Sequence, residues 1–124
     1  MAASERPPLI ARGRTLPLGA RTYVMAIINL TDDSFSGDGT GADLDAAVRR
    51  AAAAVEQGAD ILDLGAESAR ADVPVRDADE EAQFLGDAVR RIAGETDAVI
   101  SADTYKPQVA EAALQAGAHM INDI

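Results

Sequence analysis

The sequence contains no cysteine and no tryptophan, and it has one histidine among 124 residues. The absence of cysteine excludes disulfide bonds, thiolate metal sites and a cysteine nucleophile. Basic residues are scarce: the chain has 11 Lys and Arg but 21 Asp and Glu, and its net charge is -10. A general nucleic-acid-binding function is therefore not expected, since phosphate contacts need a basic surface. A basic-then-apolar leader and a long apolar run are also missing, which predicts a cytoplasmic protein without a membrane partner.

What the chain does have is enough apolar sequence for one folded domain. Hydrophobic residues make up 48% of it, and because aromatics are 3%, aliphatic side chains must fill the core. Residues 1–8 are polar with a Pro-Pro pair and are expected to form a mobile tail, while 9–124 form the domain. Two short apolar stretches flank Gly13 within 9–21 and predict a small β-hairpin ahead of the main fold.

After this hairpin, apolar runs alternate with helical patterns. The pattern predicts strands at 23–28, 59–64, 98–102 and 119–124 and helices at 43–57, 78–94 and 107–116. The first of these strands is continuously apolar, which is typical of a strand buried on both faces. The order β-α-β-α-β-α-β indicates an α/β protein with a parallel sheet. It is compatible with an open doubly wound sheet or with half of a (β/α)8 TIM barrel, which takes about 250 residues when complete.

Polar side chains stand at or near the ends of all four predicted strands, namely Asn29, Asp63, Asp103 and Asn122. Each of them alone is compatible with an ordinary turn or helix cap. Together, at one edge of a parallel sheet, they predict a site. Carboxylates and carboxamides suit a neutral heterocycle with an N–H edge, and the oxygens near Asn29 suit Mg²⁺. His119 lies at the start of a predicted strand, at the end of the sheet opposite this site, and is interpreted as a structural residue.

Three motifs in this order resemble those of the dihydropteroate synthase family. Residues 24–39 read V-M-A-I-I-N-L-T-D-D-S-F-S-G-D-G, residues 58–70 read G-A-D-I-L-D-L-G-A-E-S-A-R, and residues 100–124 resemble the third and fourth barrel strands with the helix between them. The resemblance covers 9–124 and implies the N-terminal half of a (β/α)8 barrel. It also implies condensation of (7,8-dihydropterin-6-yl)methyl diphosphate with 4-aminobenzoate, in an enzyme inhibited by sulfonamides.

The resemblance assigns roles residue by residue. Asn29 matches the residue for Mg²⁺ and diphosphate, and it is placed with Asp103 among the catalytic residues. Asp63, Asp103 and Asn122 match groups around the pterin. In the two loops, the residues implied for 4-aminobenzoate and diphosphate are Phe35, Ser68 and Arg70. A homodimer is expected only for the complete protein.

The sequence departs from the family pattern in its second motif, where alanine stands at Ala66, Ala69 and Ala71. Ala69 replaces a hydroxyl residue and cannot donate a side-chain hydrogen bond. Three interpretations therefore stay open: a synthase segment, a pterin-binding module that is divergent or inactive without a C-terminal half, and a related methyltransferase-type pterin domain. Half a barrel alone is expected to be poorly stable or to self-associate through its strand edges.

Overall fold

The computed structural model describes residues 6–30, 41–66 and 77–123, without the side chains of 41–43. Most of the predicted tail and the first loop thus lie outside the described residues. The elements are β1 (Leu9–Ala11), β2 (Arg14–Leu16), β3 (Met25–Asn29), α1 (Gly41–Glu56), β4 (Ile61–Gly65), α2 (Ala78–Glu95), β5 (Val99–Asp103), α3 (Pro107–Ala116) and β6 (Met120–Asn122). The predicted hairpin and the alternation of strands and helices are confirmed, with boundaries that differ by a few residues.

The main sheet has four parallel strands in the order β3-β4-β5-β6. Each strand lies beside the next one in the chain, so the order never reverses as it does in a doubly wound sheet. Strands in sequential order with crossover helices between them form the repeating unit of a (β/α)8 barrel. The sheet is therefore half of such a barrel, as predicted.

The helices cover one face of the sheet. Alternate strand residues point to this face, and the buried core contains Leu62, Leu64, Ile100 and Ala102 together with residues of all three helices. Helix positions at the 3.6-residue period supply the other side of the core. They include Ala47, Val48, Ala51, Leu85, Ala88, Val89, Ile92, Val109 and Ala113. No helix within the described ranges is both long enough and apolar enough to span a membrane.

The prediction that the first strand is buried on both faces is wrong. Ile28 is buried against the helices, but Ile27 on the other face of β3 is 72% exposed and Met25 is exposed as well. The reason is that β3 is an edge strand of the described sheet, with one strand neighbour instead of two. In β5, which has a strand neighbour on each side, both faces are buried, since Val99 and Ser101 lie opposite the helix-facing residues.

The hairpin β1–β2 is attached to the N-terminal end of the sheet through two arginines. Its turn has positive φ at Arg12 (45°) and Gly13 (80°), as a two-residue hairpin turn requires. The Arg12 guanidinium donates to the carbonyl of Leu114 and, at 2.8 Å, to that of Ala118, just before β6. Arg14 donates to the carbonyl of Asp97, just before β5. These contacts place the hairpin at the end opposite the predicted site.

His119 has a structural role at this same end, as the sequence indicated. Its backbone N–H donates to the carbonyl of Ile100 at 2.8 Å, and its Nδ1 accepts a hydrogen bond from the N–H of Ile100 at 3.0 Å. The imidazole thus takes the place of a ladder carbonyl, and this contact needs an unprotonated Nδ1. Burial lowers the pKa of His119 from 6.5, and the charges of Arg14 and Arg12 lower it further.

We expect this histidine to make the stability of the chain decrease in mild acid. Because the pKa of His119 is lower in the folded state, the unfolded state takes up the proton first as the pH falls below 6.5. The contribution is complete above that pH and is lost progressively below it. Urea unfolding of the wild type and of His119→Asn, whose side-chain oxygen can accept the same N–H, measures it. The wild type should lose more stability between neutral and mildly acidic pH; parallel losses would contradict the expectation.

Candidate functional site

The C-terminal edge of the sheet brings three of the predicted polar residues into one row. In the strand register, Asn29 pairs with Gly65, Gly65 with Asp103, and Asp103 with Asn122. Since neighbouring strands lie about 4.8 Å apart, the row spans a width suited to a small molecule. The predicted convergence of these side chains at one mouth is therefore what the register produces.

Gly65 leaves room for the side chain of Asp103 in this row. A Cβ at Gly65 would lie 3.4 Å from Asp103 Oδ2 and 3.5 Å from its Cβ. A methyl group at this position would therefore be in van der Waals contact with the carboxylate. The glycine in the second motif keeps the space around Asp103 open at the edge of the sheet.

Asp63 lies two residues further into the sheet, in register with Ile27 and Ser101. It is only 4% exposed, and its Oδ2 accepts a hydrogen bond from Asn122 Nδ2 at 3.1 Å. This bond crosses strand β5 and links β4 with β6. Asp63 Oδ1 and Ser101 Oγ, both buried, have no hydrogen-bond partner within the described part of the chain. Sequence reasoning found Asp63 but missed Ser101, because a lone serine inside an apolar strand carries no signal.

Asn29 ends β3 and its side chain is exposed at the mouth. A hard carboxamide oxygen fits Mg²⁺, which usually keeps several waters and is held by one or two protein groups plus substrate phosphates. No cluster of three or more His, Cys, Asp or Glu side chains able to hold a metal occurs in 6–30, 44–66 or 77–123.

The loop residues predicted for 4-aminobenzoate and diphosphate, Phe35, Ser68 and Arg70, lie outside the described residues, as do Ala69 and Ala71. Ala66 is described and is fully buried within the hydrophobic core. Its methyl group therefore packs in the core under the helices. This departure from the family motif does not put a side chain into the mouth.

A buried ion pair supports the segment that follows Asp103. Lys106 Nζ lies 2.8 Å from Glu81 Oε1; the Glu81 side chain is 0% exposed and that of Lys106 17%. The N–H of Lys106 also donates to Thr104 Oγ1 at 3.1 Å. Sequence reasoning missed this pair, because Glu81 in the acidic first turn of α2 looks like an ordinary residue that favours the helix dipole.

A cavity of about 700 Å³ lies at the other end of the sheet and has no part in this site. Its lining includes Arg14, Arg21, Asp60 and Asp97, beside the hairpin. Arg21 and Asp60 are paired with each other, 2.6 Å apart at the closest, and the pKa of Asp60 is lowered by that hydrogen bond and then by the N–H of Val24. The Arg21–Asp60 pair joins the segment before β3 to the start of β4, and Arg14 joins β2 to the segment before β5.

Comparisons with known proteins point to one family. A family model described as pterin binding enzyme matches residues 25–124. The dihydropteroate synthase of Clostridium beijerinckii is 43% identical over 107 residues, which are 86% of this chain and 40% of the relative. The structure of Xanthomonas albilineans dihydropteroate synthase with 4-aminobenzoic acid superposes with a TM-score of 0.84 at 42% identity, over 96% of this chain and 44% of that one. The same enzyme in complex with 7,8-dihydropteroate gives a TM-score of 0.78 at 39% identity and covers 96% and 40%. The chain thus spans less than half the length of these relatives.

Proposed function

Because this chain belongs to the pterin binding enzyme family, as its motifs predicted, we propose that it supplies the pterin side of a dihydropteroate synthase active site. The complete enzyme joins (7,8-dihydropterin-6-yl)methyl diphosphate to 4-aminobenzoate and releases diphosphate, giving 7,8-dihydropteroate. The observation that carries the proposal is the row of Asn29, Asp103 and Asn122 at the open edge of the sheet. The Xanthomonas albilineans relative has been solved with 4-aminobenzoic acid and in complex with 7,8-dihydropteroate.

Asp103 and Asn122 are the residues that hold the pterin in this proposal. An ionised carboxylate accepts hydrogen bonds and a carboxamide both accepts and donates them, so the pair matches the amino and ring N–H groups of a pterin edge. Neither residue needs to form a covalent bond. The chain contributes to catalysis by binding the ring and by stabilising a pterin cation as diphosphate leaves.

Asn29 is proposed as the residue that holds Mg²⁺ beside the diphosphate. The ion, when bound, supplies positive charge that stabilises the departing diphosphate. Asn29 itself would orient the leaving group through its carboxamide at the end of β3. The proposed roles of Phe35, Ser68 and Arg70 are to cover the 4-aminobenzoate and to contact the diphosphate. Sulfonamides would compete at that same 4-aminobenzoate position.

The test uses this chain joined to the remaining C-terminal portion of the Clostridium beijerinckii relative. The chain alone serves as the control, because it spans 40% of that relative. We expect the fusion to form dihydropteroate and the chain alone to lack measurable activity. Pterin binding without condensation, persisting after Ala69→Thr and Ala71→Pro, would support a binding module instead. Methyl transfer with a corrinoid partner would support the methyltransferase-type domain.

Asp103→Asn should weaken pterin binding by the fusion protein. The substitution keeps the shape of the side chain but removes the charge that assists the hydrogen bonds to the ring. The loss should be about 1.5–3 kcal/mol of binding free energy. Isothermal titration calorimetry with 6-hydroxymethylpterin measures it, with Asp87→Asn on the outer side of helix α2, where Asp87 pairs with Arg90, as the matched control. An unchanged affinity would remove Asp103 from the pocket.

A further inference from the structure

We propose that Asp63 is a positioning residue that fixes which atom of the Asn122 amide faces the substrate. The inference rests on the proposed pterin site and assigns a different task to Asp63 from the direct pterin contact that the family resemblance implied. It starts from one hydrogen bond, in which Asn122 Nδ2 donates to Asp63 Oδ2 at 3.1 Å.

The chemistry of the carboxylate determines the orientation of the amide. An ionised aspartate has acceptors and no donor, whereas the asparagine amide has a donor end and an acceptor end. The donor end of Asn122 must therefore face Asp63. A flipped amide would bring two oxygens together at the same distance, which is unfavourable inside a protein. The planar amide group then turns its Oδ1 away from Asp63.

The strand register indicates where that Oδ1 points. Asp63 is in register with Ser101, and Ser101 with Met120, so Asp63 lies two residues behind Asn122 along the strand direction. The Nδ2 of Asn122 is consequently directed across β5 and back into the sheet, towards β4. Oδ1, at the other end of the amide, is directed away from Asp63 and is the atom left to accept a hydrogen bond from a ligand at the mouth. Asp103, the register neighbour of Asn122, supplies a carboxylate at the same edge.

Burial argues that Asp63 does not itself touch a ligand at this edge. Its side chain is 4% exposed, and its second oxygen, Oδ1, is buried as well. A ligand resting on Asp103 and Asn122 would not reach that oxygen without displacing the side chains that cover it. Ser101, its register neighbour, is fully buried and serves as a control at the same depth. Asp63 therefore acts through Asn122.

A double-mutant cycle in the fusion protein tests this inference. Asp63→Asn offers both a donor and an acceptor, so the Asn122 amide can take either orientation. We expect Asp63→Asn to raise the Kd for 6-hydroxymethylpterin about tenfold, which is the effect of losing one oriented hydrogen bond. In an Asn122→Ala background the same substitution should change the Kd less than about twofold, because the group that it orients is gone.

The other outcomes separate the possible roles. Equal fold-changes in both backgrounds would mean that Asp63 contacts the pterin directly and would overturn the inference. Ser101→Ala, at the same depth, should leave the Kd almost unchanged if the effect is specific to the amide. A loss of affinity as large as that of Asp63→Asn would indicate a general disturbance of the sheet and would also overturn the inference. Failure of the unsubstituted fusion to bind pterin would instead refute the proposed function.

A measurement on the unsubstituted protein keeps the inference testable if Asp63→Asn does not fold. With ¹⁵N-asparagine labelling, the Nδ2 protons of Asn122 give their own NMR signals. One of them should exchange with solvent much more slowly than in a free asparagine, both with and without 6-hydroxymethylpterin. Equally rapid exchange of both protons would show that Asp63 does not hold the amide, and this result does not depend on pterin binding.

Discussion

Lys106→Met should lower the free energy of unfolding by about 3–5 kcal/mol, because it leaves a buried carboxylate without its cation. Glu81 is 0% exposed and its Oε1 lies 2.8 Å from Lys106 Nζ. Its other oxygen, Oε2, is buried with no hydrogen-bond partner among the described residues. Methionine retains most of the aliphatic stem of lysine, so the substitution removes mainly the charge. Urea unfolding followed by far-ultraviolet circular dichroism measures the change.

The matched controls for this prediction alter the other member of the pair. Glu81→Leu combined with Lys106→Met replaces the ion pair by apolar groups and should recover most of the lost stability, since such replacements are often neutral or stabilising. Glu81→Gln should cost less than Lys106→Met, because the Lys106 side chain is 17% exposed and the Glu81 side chain 0%, so the charge left behind is less fully desolvated. A single Lys106→Met variant as stable as the wild type would contradict a desolvated pair.

Leu62→Ala should destabilise the chain by about 2–5 kcal/mol, the usual cost of a large-to-small substitution in a packed core. Leu62, the second residue of β4, is fully buried on the face that the helices cover. The deletion removes apolar contacts and leaves a cavity that the surrounding strands and helices can fill only in part. Urea unfolding again measures the difference. Circular dichroism is the signal, because the chain contains no tryptophan whose fluorescence could report unfolding.

Ile27→Ala is the matched control, because Ile27 lies on the opposite face of the sheet and is 72% exposed. Its truncation should change the unfolding free energy by no more than about 0.5 kcal/mol, as for other surface substitutions. The comparison tests which face of the sheet forms the core. Losses of similar size at both positions would mean that the second face is covered too, for instance by self-association through that face.

Most of the element order was readable from local patterns. Pro107 begins α3, and Gly117 follows its end with a φ of 124°, as the sequence suggested. The alternation of apolar runs and alanine-rich helices determined a parallel α/β architecture, since such strands need crossover connections. The polar residues at strand ends indicated a mouth. These features depend on neighbours in the chain, and a sequence displays such neighbours directly.

Contacts between distant segments were decided by the tertiary structure. The exposure of Ile27 depends on which strands flank β3, and the burial of Glu81 depends on how α2 meets the segment before α3. The bond from Asn122 to Asp63 joins residues 59 positions apart across an intervening strand. The sequence by itself determined the residue types, the strand–helix order and the family. Only the fold decided burial, partners and amide orientation, because these follow from the register and packing of segments that are remote in the chain.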